Sequence, residues 1–176
     1  MKLIIIGAVI GCLIMWATLV YRRLTAMEQN VSSAMNRIGV QLSLRFDAVM
    51  ALLDIARECA PHESQMVIDT VKSRRREITA RSTPQDVMEQ EDMIKEALKW
   101  VDAVTQQHPE IKADEKYLKA MKAVDSYDKT ARTGRLIYND SVTKLNRELH
   151  MFPTSIIWSM LGFDKREYLE DVRECI

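Results

Sequence analysis

Residues 117–152 read YLKAMKAVDSYDKTARTGRLIYNDSVTKLNRELHMF. Within this stretch Tyr117, Met121, Val124, Ala131, Tyr138, Val142, Leu145, Leu149 and Phe152 recur at steps that alternate four and three. That spacing puts them on one face of a helix, in a heptad seam. Asp128 and Arg135 occupy two further positions of the same seam. A seam about 37 residues long can be buried only against helices of comparable length, so the stretch predicts a bundle with coiled-coil-like packing. Asp114 stands ahead of it as an N-cap, and Pro153 follows its end.

Upstream, His108-Pro109 stops an earlier helix. That helix opens at Ser82-Thr83-Pro84-Gln85-Asp86, with Thr83 as N-cap, Pro84 at the first helical position and Asp86 two further in. Ile94, Leu98, Val101 and Val104 give its apolar face. Pro61-His62-Glu63 opens another helix, predicted to run to about Arg81 with Val67, Val71 and Ile78 inward. Between Tyr21 and Pro61 there is no proline, and Gly39 is the sole glycine. One unbroken helix to about Ala60 is predicted, with Val31, Met35, Ile38, Leu42, Val49, Leu52 and Ala56 in its stripe and Arg45 interrupting it. Short loops make successive helices antiparallel.

The N-terminal residues Leu3 to Tyr21, LIIIGAVIGCLIMWATLVY, carry no charge. About 19 residues make roughly 28 Å of helix, enough to span a hydrocarbon core. Trp16 and Tyr21 sit toward one end, where aromatic belts form. Arg22, Arg23 and Arg37 follow the span against Lys2 before it, which favours a cytoplasmic C-terminal portion. Val9-Ile10-Gly11-Cys12 also reads like a lipobox, the alternative being an outward-facing lipoprotein acylated at Cys12. The chain stays apolar past Cys12, whereas a lipidated cysteine normally begins a polar tether, so an uncleaved anchor is the preferred reading. The chain thus divides into an anchor over 1–23 and a helical bundle over 24–176.

Composition narrows the function. Lys plus Arg equal Asp plus Glu at 25 each, so no global field draws the chain to nucleic acid, and no nucleic-acid partner is expected. Cys12, Cys59 and Cys175 form no disulfide framework. Glu58-Cys59-Ala60-Pro61-His62-Glu63 contains metal-ligand types, but a capped helix start with an acidic first turn accounts for the same residues. The Lys72-Ser73-Arg74-Arg75-Arg76 run lacks interleaved aromatics and reads as a solvated helix face. There is no His-Glu-x-x-His, no glycine-rich phosphate loop and no Gly-x-Ser-x-Gly. No catalytic residue, metal or cofactor is therefore expected.

The chain resembles the LemA family of membrane-anchored bacterial helical-bundle proteins. Ala34, Ile38, Val40, Gln41, Leu42, Arg45 and Asp47 are similar to that family's alanine-to-"DVQL" stretch and its basic-x-Asp step. Pro61-His62-Glu63 resembles its His-Glu break, and His108-Pro109-Glu110-Ile111-Lys112-Ala113 its "YPELKA" connection. Tyr138-Asn139, Val142, Asn146, Phe152-Pro153, Gly162-Phe163 and Glu170 follow the family's order and spacing. Met35 stands where a Trp is common, Gly39 where an Asp is, Met50-Ala51 where a Pro-Asn pair is usual, and Leu169-Glu170 where an aromatic-Glu pair closes the family pattern. The resemblance implies the fold and the membrane location, and supplies no catalytic residues.

The expected architecture is all-α: a transmembrane helix continuing into an antiparallel up-and-down four-helix bundle with a short C-terminal helical tail. Matched lengths bring the tail back toward the bilayer with Phe152, Trp158 and Phe163. Phe152 or Trp158 is expected to pack on the first helix around Leu24 to Val31. The tail residues read either as core cover or as an interfacial segment. In antiparallel helices of equal rise, opposed residue numbers sum to a constant, here roughly 174. That sets Arg45 beside Asp128 as a structural ion pair, and gives Arg135 to Glu91 or Asp92. The functional expectation is a membrane-anchored scaffold or interaction protein that meets the bilayer and a protein partner and is not an enzyme. The alternatives are a lipid-binding module or a metal-binding or enzymatic bundle.

Overall fold

The computed structural model describes residues 1–152, 154–158 and 161–169, without the side chains of Leu3 and Ile157. Pro153, Glu170 and Cys175, used in the sequence reading, lie outside the described residues. The fold is all-α. Helix α1 (Lys2–Arg57) is continuous for 56 residues, about 84 Å at the helical rise. It is followed by α2 (Pro61–Arg74), α3 (Pro84–Gln107), a 3-10 turn (Pro109–Ala113), α4 (Glu115–His150) and a single turn, α5 (Thr154–Ile157).

The first part of α1 is apolar enough to cross a membrane, with a mean hydropathy of 2.4 and none of that window buried. Burial begins at Leu24 and continues through Val31, Ala34, Met35, Ile38, Leu42, Phe46, Val49, Leu52, Leu53 and Ala56. The buried face is wider than the predicted stripe because α1 packs on α2, α3 and α4 together, mainly α4. On α4 the seam from Tyr117 through Leu149 lies inward, with Val142, Leu145 and Leu149 almost wholly buried. The two seams meet closely at mid-length, where Ile38 of α1 faces Gly134 of α4.

α3 begins as its sequence dictates. Thr83 accepts from the Asp86 backbone N–H, and Asp86 accepts from the Thr83 N–H at 2.8 Å, closing a capping box. The Thr83 backbone and hydroxyl donors hold the Asp86 carboxyl below its ordinary 3.8, with Arg76 helping. A carboxyl lowered on folding stabilises above its unfolded value, and that contribution is lost as pH falls through the lower folded value. Thr83→Ala is therefore expected to cost about 1 kcal/mol near neutral pH. The deficit should shrink in acid below pH 3.8, read by thermal denaturation at the two pH values.

α2 is shorter than predicted. It ends at Arg74, and residues 75–83 run without helix back along α1. The physical reason is tertiary. Arg75 turns extended and sends its guanidinium to Asp47 (2.8 Å) and Ser43 (2.7 Å) on α1, over the Phe46 ring. Gln90 of α3, itself buried, accepts from the Arg76 N–H (2.7 Å) and donates to the Arg74 carbonyl (3.1 Å). One amide thus replaces two of the hydrogen bonds the broken helix gives up. Ile78 is then buried against Gly39 rather than on a helix face. The basic run is consumed in part by this crossing, with Arg76 near both Asp86 and Glu89.

The C-terminal segment also departs from expectation. Its helix is one turn, and Gly162 at φ 76° reverses the chain, a conformation that suits a residue without a Cβ. Residues 163–169 then run as a non-helical strap against α1 and α4.

Candidate functional site

Three polar constellations stand out against the apolar core. The first lies in mid-bundle. Arg45 Nη1 is 2.8 Å from Asp128 Oδ1, and Arg132 Nε reaches the other carboxylate oxygen at 2.8 Å. The Arg45 side chain is only 9% exposed, and its Nε has no hydrogen-bond partner among the described residues. Burial lowers the Arg45 pKa; Asp128 opposes that shift, while Arg132 and Arg135 reinforce it. Two turns along α4, Arg135 pairs with Glu91 of α3, and both side chains are largely buried. Asp92 is exposed and bonds Lys95 instead. The layer ties α1, α3 and α4 together. Each of these two carboxylates, Asp128 and Glu91, is already matched by a guanidinium.

The second constellation locks the strap. Asn139 and Asn146, two turns apart on α4, each grip strap backbone through both ends of the amide. Asn146 donates to the Arg166 carbonyl (2.9 Å) and accepts from the Arg166 N–H (3.0 Å). Asn139 does the same for Leu169, at 3.1 and 2.9 Å. Tyr138, whose phenol pKa burial pushes up, donates to the Glu167 carbonyl. Arg166 crosses to Glu28 on α1, and buried Phe163 meets the Tyr21 ring at 5.6 Å.

This geometry corrects the expectation for Phe152. Phe163, rather than Phe152, meets the juxtamembrane part of α1, because Gly162 turns the chain back. Trp158 is half-buried against the core. Phe152 is 80% exposed, since α4 stops at His150 and Met151 is already extended. Met151 and Ile156 are exposed beside it. The two readings of the tail therefore divide by residue, with Phe163 as core cover and Phe152 and Ile156 left on the surface.

Asn139→Leu is expected to leave the Leu169 N–H and carbonyl without their partner, at a cost of about 1–2 kcal/mol. Asn139→Asp keeps the acceptor for the Leu169 N–H but sets a carboxylate oxygen against its carbonyl. Limited proteolysis within residues 163–169 should quicken for both, and unchanged cleavage of both would show the clamp to be idle.

The third constellation lies at the tip of the bundle, at the end of α1 remote from the apolar segment. Glu58, His62 and Glu63 are all exposed and do not assemble a site with Cys59. Instead Cys59 meets His108 and Glu110 from the connection after α3, with one donor atom of each within 4.8 Å of the others. His108 Nδ1 is 3.1 Å from Glu110 Oε1. The Glu110 carboxyl is held below its ordinary value first by its own backbone N–H and then by His108. The metal-ligand types noted around Cys59 are its neighbours in sequence, whereas His108 and Glu110 come from a distant turn, and the available signal is only that both segments are helix breaks in an up-and-down bundle.

Among known families, the model described as LemA family matches residues 34–174, leaving the apolar segment outside the match. No curated protein matches the chain.

Proposed function

The chain belongs to the LemA family, and on that premise we propose that it is a single-pass, membrane-anchored scaffold that presents a rigid helical bundle to a protein partner. One observation carries this reading: α1 passes without a break from an exposed apolar half into the buried core of the bundle. A helix shared by anchor and core transmits position without a hinge. The anchor is uncleaved and Cys12 carries no lipid, because the apolar run continues well past it. The bundle faces the cytoplasm, in keeping with Arg22, Arg23 and Arg37 after the span. The chain is not an enzyme on this reading, since its buried carboxylates are committed to guanidinium partners.

The test is cross-linked capture from native membranes with the anchor intact. A discrete protein retained by the full chain, and lost when α4 surface residues such as Leu136 and Ile137 are made charged, supports the scaffold. Capture of nothing beyond lipid overturns it. Intact mass of the same sample reads the anchor, and a mature chain beginning at acylated Cys12 reverses both anchor and orientation.

A second reading has its own support. Met151, Phe152 and Ile156 are exposed apolar residues beside the strap that reaches Tyr21, near the end of the apolar segment. Such a turn suits insertion at a lipid interface. Quenching of Trp158 by brominated lipid in a chain carrying both Trp16→Phe and Trp100→Phe supports it, and an unquenched Trp158 removes it.

A further inference from the structure

We propose that Cys59, His108 and Glu110 form a three-ligand binding site for a borderline divalent cation, zinc(II) foremost, at the bundle tip. A thiolate, an imidazole and a carboxylate are the three donor types that zinc takes, and the first two are poor ligands for magnesium or calcium. Their donor atoms lie within 4.8 Å of one another. Around a tetrahedral zinc, ligand atoms stand roughly 3.3–3.8 Å apart, given metal–ligand distances near 2.0–2.3 Å. Closing that gap needs side-chain rotation of about an ångström, which the half-buried Cys59 and His108 and exposed Glu110 can supply.

The backbone beneath the three is already fixed. The Cys59 N–H bonds the Ala56 carbonyl at the close of α1 (3.1 Å). The His108 N–H bonds Val104 at 2.9 Å, and Ile111, buried under the 3-10 turn, donates back to His108. The Nδ1 contact with Glu110 sets the imidazole ring plane. The ligands therefore come from two ordered corners, one between α1 and α2 and one after α3, that only the folded chain brings together. A cation held there would clamp those corners, and water would complete its coordination on the exposed Glu110 side. On binding, the Cys59 thiol releases its proton to solvent, and no oxidant or reductant is involved.

The full chain in detergent micelles, stripped by chelator, provides the test. Zinc(II) is titrated against a competing chromophoric chelator, and cobalt(II) reports a thiolate charge-transfer band. The expected result is one bound equivalent and a cobalt–thiolate band that persists in Cys12→Ser and Cys175→Ser and vanishes in Cys59→Ser. His108→Ala and Glu110→Gln should each weaken zinc binding by at least about tenfold, since even outer partners of a metal ligand commonly matter that much. Glu110 is exposed, so its replacement leaves the fold intact. Zinc should also protect Cys59 of the unmutated chain from alkylation, read by peptide mass, which needs no variant to fold. A chain that binds no zinc, a cobalt–thiolate band that survives Cys59→Ser, or alkylation of Cys59 unchanged by zinc would overturn the site.

Discussion

Asp128→Ala is expected to lose about 3 kcal/mol of folding stability, more than Arg45→Met, although both substitutions break the same ion pair. The asymmetry follows from what each leaves behind. Arg45 is nearly buried and cannot discharge itself at accessible pH. Without Asp128 it stays charged, close enough to Arg132 and Arg135 to be repelled by both. Without Arg45, the Asp128 carboxylate keeps Arg132 at 2.8 Å and remains a quarter exposed to water. Replacing both, as Arg45→Met with Asp128→Leu, should cost clearly less than the two single losses added together. Burial already lowers the Arg45 pKa as the largest influence on it, so the attraction offsets desolvation incompletely. The pair thus sets register more than it adds net stability. Urea denaturation of the four chains measures the cycle, and additive losses would deny the coupling.

This pair was legible because the information for it is one-dimensional. Arg45 and Asp128 break otherwise apolar seams, and equal helix lengths on either side of short loops align them. The same reasoning assigns Arg135 to α3, where Glu91 meets it. Helix starts at Thr83 and Asp114 were readable because a cap is a local chemical pattern. What escaped was set by distant side chains reaching the backbone. Nothing near Arg74 stops a helix; Gln90 does so from α3 by satisfying the groups that the break exposes. Asn139 and Asn146 show a seven-residue spacing, but their ligand is main chain 30 and 20 residues on, with no pattern of its own. At the tip, the sequence sets Cys59 beside His62 and Glu63, while the fold gives it His108 and Glu110.

Gly39 is the residue whose replacement should do most damage for its size. It lies inside α1, where exchange of glycine for alanine ordinarily gains about 1 kcal/mol of helix propensity. Here the sign reverses. A Cβ on Gly39 would overlap the Ile78 carbonyl oxygen and stand 2.9 Å from its carbon. The obstacle is backbone, not the free end of a side chain, so it cannot rotate aside. To relieve the clash, residues 75–83 must lift off α1. That movement withdraws Ile78 from its buried position and strains the Arg75 bonds to Asp47 and Ser43. Overpacking of this kind costs about 1–3 kcal/mol before the lost contacts are added. Gly39→Ala is therefore expected to destabilise by about 2 kcal/mol net, and Gly39→Val by more, because branching at Cβ adds bulk at the same point. Gly134 provides the contrast. There a Cβ would meet Ile38 Cγ1 at 3.0 Å, a tight contact with one side-chain atom rather than an overlap with backbone, and the gain in helix propensity offsets it. Gly134→Ala should be close to neutral by the same denaturation assay. Amide exchange locates the damage: Gly39→Ala should speed exchange at the Arg76 N–H, which Gln90 now holds at 2.7 Å. A Gly39→Ala chain as stable as the parent, with that amide still protected, would mean that the segment does not rest on α1 in solution.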